Sequence, residues 1–231
     1  MSGASPAVPL RVVSYNVRGL RAGAPAVARV LRDLDADVVL LQEIPRVLNW
    51  RGRCAALARR ADLLYAAGGG TTGGTALFTS IRVDVRDVEE HRLRPTPGLR
   101  RRGLVLARLA KDGVAFGAAS IHLGDDAGER ARHLTDITAL VNRFGLASMV
   151  VGGDVNEEPG APTWTRLASH YADAGAAVSA PTFPVTDPRR RVDGVFVRGP
   201  VAVESYGVAD TAQVQKASDH RPVVADLTLT P

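Results

Sequence analysis

The feature of this sequence that most limits its possible folds is a short apolar run that ends abruptly in glycines and polar residues. Residues 149–151 are rich in β-branched side chains, which indicates a buried strand, and Gly152 and Gly153 follow directly. Glycine lets the backbone approach another group closely or adopt positive φ. Asp154 and Asn156 then come just past the carboxyl end of the strand, where α/β folds commonly place ligand groups. Taken alone, the stretch fits a plain turn as well as a binding site.

Similar apolar runs recur along the chain and alternate with helical patterns. Val27, Val30, Leu31 and Leu34 have the i, i+3, i+4, i+7 spacing of one helix face, so a helix is expected after Pro25. Further helices are expected over about 46–64, across 134–144 and over 163–171, and 84–94 is expected to be an exposed strand or loop. Strands are expected over 10–15, 37–41, 75–78, 103–109, 114–121, 149–151, 192–197, 201–208 and 223–229.

The length and composition favour one folded unit. The chain has 231 residues, 45% hydrophobic and 23% charged, which is ordinary globular material. We therefore expect a single domain over residues 1–231, with 1–9 as a flexible tail. Because predicted strands outnumber the helices and the helices fall between strands, two sheets with helices outside them are expected.

The charge favours anionic partners. The formal net charge is +5 and the pI about 10.0, which suits nucleic acid, phospholipid head groups or phosphorylated metabolites, although arginine enrichment alone could produce it. The single Cys54 excludes an intramolecular disulfide and a zinc–cysteine cluster. The amino terminus lacks an apolar signal region, and no apolar run approaches the ~20 residues that span a bilayer. A cytoplasmic monomer is therefore expected.

Polar side chains interrupt the predicted strand ends repeatedly. Each one alone is more often a cap, an ion-pair partner or a turn residue, but their ordered combination is far less expected by chance. Hard oxygen ligands suit Mg²⁺ or Mn²⁺, and histidines donate to phosphate oxygens or move protons near pH 7. The set comprises Asn16, Glu43, His122, Asp154, Asn156, Asp193, Asp219 and His220.

Other conspicuous residues have plainer interpretations. The arginine runs 100–102 and 189–191 are typical of solvated surface. Trp50 and Trp164 fall on helical core faces and are expected to be structural.

Six motifs in this order resemble those of the endonuclease/exonuclease/phosphatase superfamily, and the resemblance spans about residues 11–229. It implies an α/β fold, a four-layer α/β/β/α sandwich of two packed mixed sheets with helices outside and the site at one edge of both sheets. Residues 74–77 and 182–184 resemble two weaker family blocks. The six motifs are Ser14-Tyr15-Asn16-Val17, Leu41-Gln42-Glu43, Ile121-His122-Leu123, Gly153-Asp154-Val155-Asn156, Arg191-Val192-Asp193 and Ser218-Asp219-His220-Arg221-Pro222.

The resemblance implies a divalent cofactor, Mg²⁺ or Mn²⁺. In this reading Glu43 is the main metal ligand, Asn16 lies beside it, and Asp219 lies near the metal or its water. The implied reaction is in-line attack of water on a phosphoester.

The remaining motif residues acquire catalytic roles from the same resemblance. Asp154 positions or deprotonates the nucleophile, and Asn156 holds a phosphate oxygen. His220 contacts the phosphate with Asp193 orienting its ring, and His122 is the second phosphate-facing histidine.

The chain departs from the family pattern at several positions. Gly194 replaces an aromatic residue and is expected to leave room near the site. His122 stands where abasic-site endonucleases of the family carry Tyr, which disfavours an abasic repair enzyme. His122 has no obvious carboxylate partner; Thr75 is a possible neighbour, and Thr75 and Arg191 are expected to contact substrate. Val155 replaces the usual Phe in the core.

The leading expectation is a nuclease or phosphodiesterase whose phosphoester substrate is DNA or RNA. The first alternative is a phosphoesterase of phospholipid head groups or small phosphorylated metabolites. The second is a non-catalytic binding module on the same scaffold. Aromatic residues for base stacking are few, at 5% of the chain.

Overall fold

The computed structural model describes residues 7–178 and 180–231, which form two six-stranded mixed sheets packed face to face. Strands are numbered in chain order. The first sheet has the spatial order β11 (Val201–Val208), β12 (Val223–Leu229), β1 (Val8–Asn16), β2 (Val38–Gln42), β4 (Ala76–Thr79), β3 (Leu64–Gly68). The second has the order β5 (Asp84–Arg92), β6 (Gly103–Lys111), β7 (Val114–His122), β8 (Met149–Asp154), β10 (Asp193–Arg198), β9 (Ala172–Asp173).

Helices cover the outer face of each sheet. Three pack on the first sheet: α1 (Ala24–Leu34), α2 (Trp50–Arg60) and α5 (Ala212–Ala217). Two pack on the second: α3 (Ala127–Phe144) and α4 (Pro162–His170). The predicted four-layer α/β/β/α sandwich is therefore confirmed.

The alternation of side chains along each strand produces three apolar layers. In β1, Val12 faces the second sheet while the next residue, Val13, faces the helices, because successive side chains of a strand point to opposite faces. The middle layer joins the sheets through residues such as Leu40 and Phe116. Strands buried on both faces explain why their sequences are continuous apolar runs.

Strand directions bring the polar strand ends to one edge. β1 runs parallel to β2, and β7 runs parallel to β8, so the carboxyl ends of each pair lie together. β10 is antiparallel to β8 and begins with Asp193 opposite Asp154. β12 is antiparallel to β1, so the loop before it lies beside the end of β1.

Several sequence predictions about individual elements are wrong. The second helix ends at Arg60 rather than near residue 64, and Leu64 begins β3, a strand that was not predicted. β9 and α5 were also not predicted. The flexible tail was predicted over residues 1–9, but Val8 and Pro9 are paired with β12 in the first sheet. Residues 1–6 of the predicted tail lie outside the described part of the chain.

Among the described residues, no helix combines the length and apolar character needed to cross a membrane.

Candidate active site

The two glycines of β8 allow a close approach of backbone. A Cβ on Gly153 would lie 2.0 Å from the carbonyl oxygen of Ile121 in β7, and one on Gly152 would lie 2.6 Å from the side chain of Leu40 in the facing sheet. Neither glycine has positive φ. The glycines therefore let β8 lie tightly against its neighbours, and this fixes the position of Asp154 at its end.

The carboxylate of Asp154 is the centre of the site. It is buried, and its Oδ2 accepts a hydrogen bond from Asn16 Nδ2 at 3.0 Å. The same oxygen lies 3.3 Å from His122 Nε2 and 3.8 Å from His220 Nε2, while Oδ1 accepts from the Asn156 backbone N–H at 2.9 Å. Burial alone would raise the pKa of Asp154, but the two histidines and Asn16 together lower it well below its usual range. Asp154 is therefore an anion at neutral pH.

Asp193 and His220 form a buried pair beside Asp154. His220 Nδ1 lies 2.9 Å from Asp193 Oδ2, and both residues are buried. Burial disfavours the imidazolium, but the charges of Asp193 and Asp154 outweigh that cost and raise the pKa of His220 to about 10. His220 is thus a cation at neutral pH, and its Nε2–H points toward the Asp154 side of the site.

Asn156 connects the ends of β7 and β8. Its Nδ2 donates to the carbonyl of Leu123 at 2.8 Å and lies 3.3 Å from His122 Nε2. Its φ of 55° is a left-handed conformation that asparagine adopts more readily than most residues. The amide therefore holds the loop after β7 and faces the same space as His122.

Arg102 is a site residue that sequence reasoning missed. The run 100–102 was interpreted as solvated surface, but the Arg102 side chain is buried, and its Nη1 lies 2.8 Å and 2.9 Å from the two ring nitrogens of His122. Burial lowers the pKa of Arg102, which the nearby carboxylates oppose. His122 thus contacts both the Asp154 carboxylate and a guanidinium, and only the fold reveals the second partner.

Glu43 follows β2 at the same edge and offers hard oxygen ligands. It is half-buried with a φ of 55°, and its backbone carbonyl accepts from Gly19 N–H at 2.8 Å. Within residues 7–178 and 180–231, no cation pairs with its carboxylate. Asn16 lies beside it across the β1–β2 ladder, and Asp219 is paired with Arg18 at 3.0 Å. These oxygen donors fit a divalent ion such as Mg²⁺ or Mn²⁺.

A second group of ligand atoms lies deeper in the site. One ligand atom from each of Asp154, Asp193 and His220 lies within 4.8 Å of the others. An ion bound there would require His220 to lose its proton, although its pKa is raised to about 10. Asp154 also already accepts hydrogen bonds from its own donors. We therefore consider Glu43 the better metal ligand.

A cavity of about 260 Å³ opens onto these residues. Glu43 and His122 line it, and Glu43 is the only acid among its lining residues. Its basic wall consists of Arg18, Arg21, Arg46, Arg100 and Arg102. A phosphate group entering the cavity would meet several cations and one potential metal ligand.

Two residues predicted to contact substrate have other contacts. Thr75 is fully buried, and its Oγ1 donates to the carbonyl of Thr72 at 3.2 Å rather than contacting His122. Arg191 is buried, pairs with Asp173 at 2.6 Å and lies over the ring of Trp164. The charge of Arg191 is satisfied inside the fold, so we leave both residues out of the site.

Gly194 does not leave room near the site, contrary to the sequence prediction. A Cβ there would lie 2.8 Å from the ring of Phe196 and 3.0 Å from that of Trp164. These two rings, 5.1 Å apart, occupy the volume that the family's usual aromatic side chain would fill.

The comparisons with known proteins agree with the fold. The model of the Endonuclease/Exonuclease/phosphatase family matches residues 13–220. No curated protein sequence gives a significant match. An endonuclease/exonuclease/phosphatase from Bacteroides vulgatus has a similar structure, with a TM-score of 0.82, 20% identity, and coverage of 96% of this chain and 99% of that chain.

Two other similar structures have more specific names. The mannosyl-6-phosphatase of Bacteroides thetaiotaomicron has a TM-score of 0.81 and 18% identity, with 94% of this chain and 99% of that chain covered. TDP2 of D. rerio, complexed with a single-strand DNA product, has a TM-score of 0.74 and 17% identity, with 95% and 98% covered. At these identities the structural likeness shows the fold alone, and the match to the family model shows the family. This chain belongs to the Endonuclease/Exonuclease/phosphatase family, whose members are phosphoester-hydrolysing enzymes.

Proposed function

We propose that the protein is a divalent-metal-dependent phosphoesterase in which water attacks phosphorus in line with the leaving group. The observation that carries this proposal is the position of the Asp154 carboxylate between His122 and His220, beside the basic cavity that Glu43 lines. Each of these side chains comes from a different strand end, and a purely structural role gives no reason for their convergence.

Glu43, with Asn16 and Asp219 near it, would hold Mg²⁺ or Mn²⁺, which as a Lewis acid stabilises charge on the phosphoryl oxygens. Asp154 accepts a hydrogen bond from the attacking water and orients it. The strongly lowered pKa of Asp154 makes it a weak base, so orientation is a larger part of its role than proton removal.

The two histidines and Asn156 face the phosphate. His220 is held by Asp193 as a cation, and its Nε2–H is left to donate to a phosphate oxygen whose charge grows in the transition state. The Nε2 of His122 and the Nδ2 of Asn156 lie 3.3 Å apart, on the side of Asp154 away from His220. Removing one such donor typically costs a factor of about 100 to 1,000 in rate.

For the substrate, we propose a nucleic-acid phosphodiester. The arginines around the cavity supply the positive field that attracts a polyanion. The TDP2 neighbour binds a single-strand DNA product. Hydrolysis of nucleic acid should therefore weaken steeply as salt concentration rises.

A small phosphorylated metabolite is the second candidate. The cavity is small, at about 260 Å³, and one similar structure is a mannosyl-6-phosphatase. A reaction on a small phosphate ester releases few counterions, so its rate should change little over the same salt range.

The test is a substrate panel measured with Mg²⁺, Mn²⁺ and a chelator. The panel contains single- and double-stranded DNA, RNA, sugar phosphates, phosphoinositides and sphingomyelin. Asp154→Asn serves as the inactive variant. Asp112→Asn is the matched control, because Asp112 is exposed in the β6–β7 turn. Hydrolysis that persists in chelator, or that Asp154→Asn retains near the wild-type rate, would refute the proposal.

A further inference from the structure

A second, larger cavity adjoins the first one. Its volume is about 520 Å³, and the two cavities share Arg46, Gly73, Arg100 and Arg102 in their walls. Of the residues assigned above to metal binding, catalysis or contact with the two histidines, only Arg102, which contacts His122, also lines the larger cavity. A molecule whose phosphate occupies the smaller cavity would extend directly into this second space.

The larger cavity has five arginines and no acid among its lining residues. Single unpaired arginines are common on protein surfaces, but several that line one cavity together give it a positive field that attracts anions. In the described part of the chain, none of the five has a carboxylate within 4.0 Å, whereas Arg82 has two and Arg130 has one. The five are Arg46, Arg92, Arg100, Arg101 and Arg102.

The walls of this cavity are fixed by contacts within the fold. Arg46 Nη1 donates to the carbonyl of Arg101 at 3.3 Å, which joins the loop after β2 to the loop before β6. Arg92 Nε donates to the carbonyl of Thr71 at 3.2 Å. A Cβ on Gly70 would lie 2.6 Å from the Trp50 ring, so the turn packs directly on that indole.

Apolar side chains provide the remaining surface of the cavity. Val47, Leu93 and Pro95 line it together with the methyl-bearing Thr71. Val47 is 69% exposed, and contact between an apolar side chain and water is unfavourable. The cavity therefore combines several cations with an apolar wall, which suits an organic group that carries a phosphate.

We propose that the larger cavity binds a second phosphate group of the substrate, next to the phosphate that is hydrolysed. Arginine suits this role because its planar fork donates two parallel hydrogen bonds to phosphate oxygens. The neighbouring phosphate of a nucleic-acid strand and the second phosphate of a bisphosphorylated metabolite supply the same chemistry. The inference rests on the proposed function, which places the hydrolysed phosphate in the smaller cavity.

The test compares ligands that differ only by the second phosphate. Binding of thymidine 3′,5′-bisphosphate and thymidine 5′-monophosphate is measured by calorimetry in chelator at fixed ionic strength. The wild-type protein should bind the bisphosphate about tenfold more tightly, since hydrogen bonds between charged groups have roughly that value. Glucose 1,6-bisphosphate and glucose 6-phosphate form a parallel pair that distinguishes a metabolite from a nucleotide.

A double variant shows whether the preference comes from this cavity. Arg92 and Arg101 line the larger cavity but not the smaller one, so Arg92→Gln with Arg101→Gln should abolish the tenfold preference and leave monophosphate binding unchanged. The control is Arg59→Gln with Arg60→Gln, which removes the same charge from the exposed end of α2. The control should retain the preference.

Three results would overturn the inference. They are equal wild-type affinities for both members of each pair, no binding of any of the four ligands, and equal loss of preference in the variant and the control. Absence of hydrolysis throughout the substrate panel would instead refute the proposed function, because the binding preference is measured without turnover.

Discussion

The loop that follows His122 and the loop that carries Asn156 are joined by a buried ion pair, and breaking it should damage both stability and turnover. Arg130 Nη2 contacts Glu157 Oε1 at 2.9 Å, with only 10% and 11% of the side chains exposed. Arg130 also donates to the carbonyls of Gly124 and Asp125, just after His122. Glu157, next to Asn156, accepts two backbone N–H groups at the start of α4. The pair therefore links the two loops.

Glu157→Gln keeps the shape of the side chain but leaves the Arg130 cation buried without its partner. Removing one member of a buried pair costs about 3–5 kcal/mol, and we expect a loss of that size in the free energy of unfolding. Turnover should also fall by about 100-fold, because a shift of 1 Å at a catalytic group has that effect. The free energy is measured by urea unfolding and the rate with the best substrate of the panel.

A double-mutant cycle tests the assignment. Arg130→Met removes the buried charge, so the double variant Arg130→Met with Glu157→Gln should be more stable than the sum of the single changes predicts. A coupling energy of about 1–3 kcal/mol is expected for groups in direct contact. Additive losses, or a single variant within about 0.5 kcal/mol of wild type, would refute the reasoning.

The same pair predicts a pH dependence. Burial would raise the pKa of Glu157, but Arg130 and the α4 amides lower it below the ordinary value of 4.5. A lowered folded-state pKa contributes stability that is present above 4.5 and is lost as pH falls through the folded value. The stability difference between wild type and Glu157→Gln should therefore shrink below pH 4.5. A difference that is constant down to the acid transition would contradict this.

Glu43→Gln should lower the rate of metal-dependent hydrolysis by more than about 100-fold without changing the unfolding midpoint. If calorimetry gives the variant and the wild type equal affinities for Mn²⁺, Glu43 is not a metal ligand. Gly194→Phe should lower the free energy of unfolding in urea by about 1–3 kcal/mol, because its Cβ alone would lie 2.8 Å from the Phe196 ring; an unchanged midpoint would show that the space is free. Asp37→Ala should cost about 3–5 kcal/mol in thermal unfolding, because it leaves Lys111, 2.7 Å from Asp37, buried without its carboxylate; a loss below about 1 kcal/mol would contradict this.

Elements with strong apolar patterns could be predicted from the sequence, and elements without them could not. The core strands and α3 were found because each buries a periodic apolar set. β3 was missed because Leu64 lies seven residues after Leu57, a spacing that continues the apolar face of α2. In the structure Leu64 instead begins the edge strand β3, and its side chain is 53% exposed. α5, with six residues of which three are polar, and β9, with two residues, are too short to carry a periodic signal.

The sequence was enough to predict that the motif residues at strand ends lie together, because the carboxyl ends of parallel neighbouring strands meet at one edge of a sheet. The arginines could not be sorted in the same way. Arg102 and Arg191 each end a run of three arginines, and both runs were interpreted as surface. One is buried against His122 and the other against Asp173. The sequence shows three equivalent cations in each run, and only the packing of distant loops decides which one is buried.

The order of charges across the site explains why two similar histidines have different roles. The Arg102 guanidinium lies 2.8 Å and 2.9 Å from the two ring nitrogens of His122 and places a positive charge beside that ring. The Nε2 of His122 also faces the Asp154 carboxylate at 3.3 Å. His220, between Asp154 and Asp193, has carboxylates on both sides and carries the full positive charge. His220 therefore stabilises developing negative charge, whereas His122 lies between the Arg102 guanidinium and the Asp154 carboxylate. An Asp154 carboxylate placed between them is stabilised from both sides, so it stays ionised despite its burial.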